Sequence, residues 1–371
     1  MTFRAYQALL VAAFCALLCI PGLTMLIRPE VPKLYGVKPV SFPHFKSWEK
    51  WPTDFEEYFA ANLGHKRRLI QLNNLVGYRV IGDLQNDSVL VGTHDWLYLK
   101  QNFGWESMRS EEPLSTRDAA TWRRDLQGAQ SFLAKHQVAF LWVIVPSKET
   151  IYPEFLPKSA PRARAISRLD EMLGVFASTG VDYLELRTPL LEGRKHAQLY
   201  DSIDSHWNGN GVRIGADLMM KRVTTLLNRP DSYADLDSSL KPRPSWADLP
   251  LLVSLDDVIG QPSVELVPNR PRARRLEPPE SVKEPTRKQQ NRMVFEVDDA
   301  SLPTALILRD SFSEGCMPTL TEKFRRSVWI WTHEIDLRLV PQEQPDIVIV
   351  EMTERFMSDT PPKLMLPRAS R

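Results

Sequence analysis

The sequence predicts an α/β domain, a three-layer α/β/α arrangement whose mostly parallel sheet is covered by helices on both faces. One membrane-spanning helix is predicted ahead of it at the amino terminus. Three observations carry this: short apolar strands without polar alternation, amphipathic segments of helical period between them, and an uncharged apolar run at the start of the chain.

The apolar run is residues 5–27, AYQALLVAAFCALLCIPGLTMLI, with no charge between Arg4 and Arg28. It is long enough to cross a bilayer as a helix. A removable signal peptide has a shorter apolar core and small residues at its cleavage site, and Pro-Gly-Leu-Thr-Met lacks that pattern, so the run reads as an uncleaved anchor over residues 1–28. A Pro-rich linker, residues 29–54, follows. The domain is then expected over residues 55–371, opening with a helix between Phe55 and Tyr78 and a hairpin in SVLVGTHDWLYL, residues 88–99.

From there the chain alternates. Helices are expected at about 117–136, 163–178, 209–227 and 313–324. Strands are expected at Val138–Val145, Val181–Leu186, Thr304–Leu308, Ser327–Thr332 and Asp346–Glu351. Residues 229–300 carry ten prolines and many charges and read as an irregular insertion within this one domain.

Composition excludes some functions. With 47 Lys and Arg against 46 Asp and Glu, the net charge is +1, so no global field attracts nucleic acid. Two of the three cysteines, Cys15 and Cys19, lie in the apolar run, which leaves Cys316 without a disulfide partner in the rest of the chain. His/Cys spacing of the metal-site kind is absent, and so is a Gly-rich phosphate loop. Neither a metal nor a cofactor is expected.

The chemistry-bearing residues lie in two places. TALILRDSFSEG puts Asp310 and Ser311 where a buried strand ends and a helix begins, the edge at which α/β sheets bind ligands. Helix amides beside Ser311 would serve a developing oxyanion, and the plainer reading is that Asp310 or Ser311 caps the helix. A serine needs a base that is itself oriented by a third group. His206 in DSIDSHWNGNG, two residues after Asp204, fits that need, although the same run is also a turn-forming sequence.

Together these pieces resemble the SGNH-hydrolase-like domain of the alginate O-acetyltransferases of AlgJ and AlgX type. NDSVLVGTHDWLYL, VPSKETIYPEFLP, DSHWN, RDSFS and PDIVIVEMTERF resemble five motifs of that family in its order, from about Phe55 to about Phe356. The chain is more similar to AlgJ, because little sequence follows Glu354-Arg355. Arg309 departs from the small residue usual before Asp-Ser, and it would either crowd the oxyanion site or hold a carboxylate-bearing substrate.

The resemblance implies a periplasmic O-acetyltransferase acting on an alginate-like exopolysaccharide, tethered to the inner membrane by a single helix. It implies that Ser311 is the nucleophile, His206 the base and Asp204 the orienting acid. An integral-membrane O-acyltransferase would donate the acetyl group, and a polysaccharide or a second periplasmic transferase would accept it, with no soluble cofactor and no nucleic acid involved. A carbohydrate acetylesterase using the same residues and a non-catalytic adaptor of a polysaccharide biosynthesis complex are the alternatives.

Three further features have two readings each. Lys148, Tyr152 and Pro153 either line the cleft or form a turn with Tyr152 in the core. Trp207 either stacks on a sugar or packs inside. The run Arg270, Arg272, Arg274, Arg275 either meets an anionic polymer or is solvated.

Overall fold

The structure is a computed structural model that describes residues 3–27, 40–45, 47–160, 162–244, 247–277, 292–359 and 361–367. The chain forms two compact units, one of Met1–Asn86 with Pro250–Ile259 and one of Asp87–Leu249 with Gly260–Arg371.

In the first unit an apolar helix runs over Phe3–Ile27, and its stretch Arg4–Met25 is long and apolar enough to cross a membrane, with mean hydropathy 2.3. The helix expected between Phe55 and Tyr78 is two helices, Trp51–Asn62 and Lys66–Val76, the second running into a π-helical turn at Gly77–Ile81. The break has a local cause. His65 is left-handed at φ 59°, and Gly64 approaches the apolar helix so closely that its amide donates to the Pro21 carbonyl at 3.2 Å and a Cβ there would collide with Thr24. Residues 28–39 of the expected anchor end and linker lie outside the described residues, and Trp51 already opens a helix. Arg67 pairs with Asp256 at 3.0 Å and Asn74 donates to the Val253 carbonyl at 2.8 Å, which fixes the segment Pro250–Ile259 to this unit.

In the second unit the strands are β1 (Val89–Val91), β2 (Leu97–Leu99), β3 (Ala139–Val145), β4 (Tyr183–Glu185), β5 (Ser238–Arg243), β6 (Ser263–Pro268), β7 (Arg274–Leu276), β8 (Arg292–Glu296), β9 (Thr304–Arg309), β10 (Arg326–Trp331), β11 (Ile335–Asp336), β12 (Ile347–Thr353) and β13 (Leu364–Met365). A seven-stranded sheet has the order β4-β3-β12-β9-β10-β8-β7. Its first five strands are parallel, and β8 and β7 close one edge antiparallel.

Continuous apolar strands are needed because both faces are covered. On one face Leu141, Val143, Ile307 and Ile349 pack with Val212, Met219 and Val223 of helix Gly209–Leu226 and with Cys316 and Leu320 of helix Ser313–Leu320. On the other, Trp142, Leu306, Leu308 and Val348 pack with Trp122, Leu126 and Leu133 of helix Thr116–Lys135 and with Leu169 and Phe176 of helix Arg168–Ala177. Each helix start is written in the sequence. Ser115 caps the first of these two through the Asp118 amide, and Ser167 and Asp170 form a capping box on the second.

The expectation of an irregular insertion over residues 229–300 needs correction. β5 and β6 pair antiparallel, and β7 and β8 extend the main sheet. The prolines hid this, because Pro242 and Pro268 sit within β5 and β6. In a two-stranded ribbon each strand has one free edge, so a missing amide is tolerated there. Residues 278–291 lie outside the described residues.

The central core predicts a measurable stability cost. Leu306 is fully buried and paired on both sides by β10 and β12, so Leu306→Ala should lower unfolding free energy by roughly 2–5 kcal/mol in urea denaturation. Lys135→Ala, at the exposed end of its helix, should stay within about 0.5 kcal/mol.

Candidate active site

β9 delivers Arg309 and Asp310 to the carboxyl edge of the sheet, and Ser311 stands in the turn before helix Ser313–Leu320. Asp310 is fully buried and fixes that turn: its Oδ1 accepts from the Phe312 amide and its Oδ2 from the Thr353 amide at the end of β12, both at 2.8 Å. The Glu351 carboxyl on β12 accepts from the Ser313 hydroxyl at 2.7 Å and the Asp310 amide at 3.2 Å. Burial, then the charge of Asp310, pushes Glu351 well above the ordinary carboxyl value. Asp310 therefore caps the turn, and the Phe312 amide is taken up by it rather than aimed at an oxyanion.

His206 comes from the loop after Tyr200. Lys148, buried just beyond the end of β3, donates through Nζ to the carbonyls of Asp201, Ser202 and Asp204 at 3.0, 2.9 and 2.8 Å. Burial draws its ammonium down to about 7 against the pull of Asp204, Asp248 and Asp201. Asn208 closes the loop by accepting from the Asn210 amide and donating to Asp201 Oδ1, each at 3.0 Å. The Trp207 indole N–H donates to the Phe312 carbonyl at 2.9 Å and ties the loop to the serine turn.

These supports bring the three expected residues together. His206 Nε2 lies 2.8 Å from Ser311 Oγ, and His206 Nδ1 lies 2.9 Å from Asp204 Oδ1. Asp204 Oδ1 also accepts from the His206 amide at 2.9 Å, and Arg243 Nη2 stands 3.5 Å from Asp204 Oδ2. Burial would raise the Asp204 carboxyl, but the hydrogen bond and charge of His206 outweigh it and hold the group below the usual carboxylate value. Burial would lower His206, and the Asp204 bond with the charges of Asp248 and Asp204 outweighs that, so its pKa rises above the usual histidine value.

Among the described residues, Asp204, His206 and Asp248 offer ligand atoms within 4.8 Å of one another. Each of those side chains already has protein partners: Asp204 and Ser311 for the imidazole, the His206 amide for Asp204, and Ser205 for Asp248. That pattern is a hydrogen-bonded network rather than an open donor set for a cation.

The remaining residues take definite places. Tyr152 is buried, its hydroxyl accepting from the Leu199 amide at 2.9 Å, while Pro153 lines a cavity of about 600 Å3 with Glu149, Lys158, Arg162 and Arg187. Trp207 is core. Arg309 is 3% exposed, its Nη1 donating to the Asp310 carbonyl and to Glu314 at 3.0 and 3.1 Å while the guanidinium covers Trp331, so its charge is taken up by these partners. Arg270 pairs with Asp237 at 2.7 Å and Arg272 lies 3.6 Å from Asp299, whereas Arg274 and Arg275 lie exposed on β7. Sequence reasoning missed Asp248 and Arg243, which stand in no recognisable motif, and Glu351, which lies within PDIVIVEMTERF but has no role that its residue type alone announces.

Replacing Lys148 with methionine would take a charged donor from three carbonyls of one loop, leaving Ser202 with the Leu97 amide at 2.8 Å, Asp201 with the Asp204 amide at 3.3 Å, and a buried Asp204 carbonyl that has lost its Nζ bond. We predict a loss of about 3 kcal/mol or more in unfolding free energy by urea denaturation.

Residues 89–332, more than half of the chain, match the family described as SGNH hydrolase-like domain, acetyltransferase AlgX. A curated relative from Azotobacter vinelandii, named probable alginate O-acetylase AlgJ, is 22% identical over 258 residues, 68% of this chain and 61% of the relative. The match thus spans about three fifths of that relative's length. The structure of Bacillus cereus PatB1 superposes with a TM-score of 0.54 at 15% identity, covering 76% of this chain and 100% of that one. A DHHW family protein from Eubacterium siraeum gives 0.53 at 13% identity, covering 74% and 93%. These two structures share the fold, with its parallel sheet and two helical layers. The extent of the family match, over the segment that holds β1 through β10, makes this chain a member of the SGNH hydrolase-like, AlgX-type acetyltransferase domain family.

Proposed function

We propose that this chain is an O-acetyltransferase that modifies an alginate-like exopolysaccharide through an acetyl-Ser311 intermediate. The observation that carries the proposal is the unbroken relay Asp204–His206–Ser311, at 2.9 and 2.8 Å. The family membership and the name of the Azotobacter vinelandii relative support the reaction class and the polymer.

In the first half-reaction Ser311 Oγ attacks the acetyl carbonyl carbon while its proton passes to His206 Nε2. The tetrahedral adduct collapses, the bond to the donor's leaving group breaks, and that group departs with the proton from Nε2. In the second, a sugar hydroxyl gives its proton to Nε2 as it attacks acetyl-Ser311, and Ser311 Oγ leaves with that proton. Asp204 keeps Nδ1 protonated and stabilises the imidazolium without taking the proton.

Residues 1–28 serve as an inner-membrane anchor and the chain beyond it as the periplasmic part, in keeping with the apolar stretch Arg4–Met25. The donor is an integral-membrane O-acyltransferase, and the acceptor is the polysaccharide or a second periplasmic transferase. Tethering raises the effective concentration of Ser311 at a membrane-borne donor.

The test is acetyl transfer from an activated acetyl ester to alginate oligosaccharides. Ser311→Ala should lower it by roughly 10³-fold or more, and undiminished transfer by that variant would sink the proposal. The pH dependence follows from His206. The base must be neutral, so kcat/KM falls as pH drops through its raised pKa, and the midpoint of that limb should lie above 6.5. A rate that is flat from about pH 5 to 8 would contradict His206 as the base.

A further inference from the structure

We propose that Asp248 is a second carboxylate partner of His206, a positioning residue that fixes the imidazole and its positive charge during proton exchange with Ser311. The inference rests on the acyl-transfer reading above.

Asp248 opens the short helix Asp248–Leu252, far in sequence from the loop that carries the histidine. Its Oδ2 lies 3.6 Å from His206 Nδ1, just beyond the Asp204 contact on the same nitrogen. Its bonds run to Ser205, the residue between the acid and the base: Oδ1 accepts from the Ser205 amide at 2.8 Å and Oδ2 from the Ser205 hydroxyl at 2.5 Å. Ser205 Oγ is itself 3.4 Å from His206 Nδ1. One carboxylate therefore grips the peptide that carries the imidazole and also faces the ring's inner nitrogen.

A mere helix cap does not explain this. The carboxylate bonds described for Asp248 reach Ser205 rather than its own short helix. Its position is also costly, since burial and the charge of Asp204 both raise its pKa. Two acids held against one imidazole make electrostatic sense when the imidazole becomes a cation, as it does once Nε2 has taken the serine proton.

The other groups around His206 set a clear balance. Asp204 faces it from its own loop, Asp248 from the helix, and Arg355 from the segment after β12, with the Phe312 ring 5.0 Å from the imidazole. Arg355 disfavours the cation and the two carboxylates favour it. Arg243 stands behind Asp204, and Lys148 beneath the loop carbonyls. During the reaction Nδ1 keeps its proton, Nε2 alone exchanges with Ser311 Oγ and the leaving group, and neither carboxylate takes a proton from the imidazole.

The experiment is an NMR titration of the His206 imidazole in the full chain in detergent, comparing wild type with Asp248→Asn and Asp248→Glu. Asp248→Asn should lower the midpoint by roughly half to one unit, Asp248→Glu should restore at least part of it, and the acid limb of Ser311 acylation should move by the same amount. If Asn at 248 prevents folding, Asp248→Ser keeps a short hydroxyl toward Ser205 and reads the same shift. An unchanged midpoint in a folded variant overturns the inference. Failure of wild type to acetylate Ser311 would instead overturn the acyl-transfer reading, and the titration would still decide whether Asp248 acts on His206.

Discussion

The buried Lys148 ammonium is the contact on which the site geometry depends. It lies just past the carboxyl end of β3 and gathers three carbonyls of residues 201–204 around one charge. A lysine with three donors suits three carbonyls from one short loop, and those carbonyls offset the loss of water that draws its pKa to about 7. The loop held this way presents Asp204 and His206 with fixed backbone, so the histidine reaches Ser311 without a helix or strand of its own. The serine turn is fixed independently through Asp310 and Thr353, and the Trp207–Phe312 bond locks the two halves together. Reach across the sheet edge thus depends on β3, β9 and β12 ending side by side, which their parallel register enforces.

The acids at this edge divide by environment. Asp204 sits beside an imidazole and is held in its charged form. Glu149 is pushed up to about 7 by burial and then by Glu354, and Glu354 and Glu351 are also raised by burial. Burial thus disfavours charge on these three carboxyls, whereas Asp204 keeps its charge beside the histidine.

Much of this was legible in the sequence because it rests on local patterns. Uninterrupted apolar strands such as Ala139–Val145 announced a sheet covered on both faces, and Ser115 and Ser167 marked helix starts. Ser311, His206 and Asp204 were legible through the residue types that acyl chemistry needs and through the order of their motifs. What stayed hidden depends on distant pairing. The strands β5 and β6 carry prolines and little alternation, and only their mutual ladder makes them strands. Asp248 lies 42 residues beyond His206 in a segment whose composition reads as loop, and no local spacing connects it to the loop that carries His206. The break between Trp51–Asn62 and Lys66–Val76 likewise depends on where Gly64 meets the apolar helix, a contact invisible to helical periodicity.

The central claim is that Ser311 carries the acetyl group with His206 as its base. The most direct measurement is intact mass spectrometry of the protein after exposure to an activated acetyl ester, with peptide mapping of any adduct. The account predicts one acetyl group on Ser311 of the wild type, absent from Ser311→Ala and from His206→Ala. A folded wild-type protein that gains no adduct, or an adduct that persists in Ser311→Ala, would contradict it.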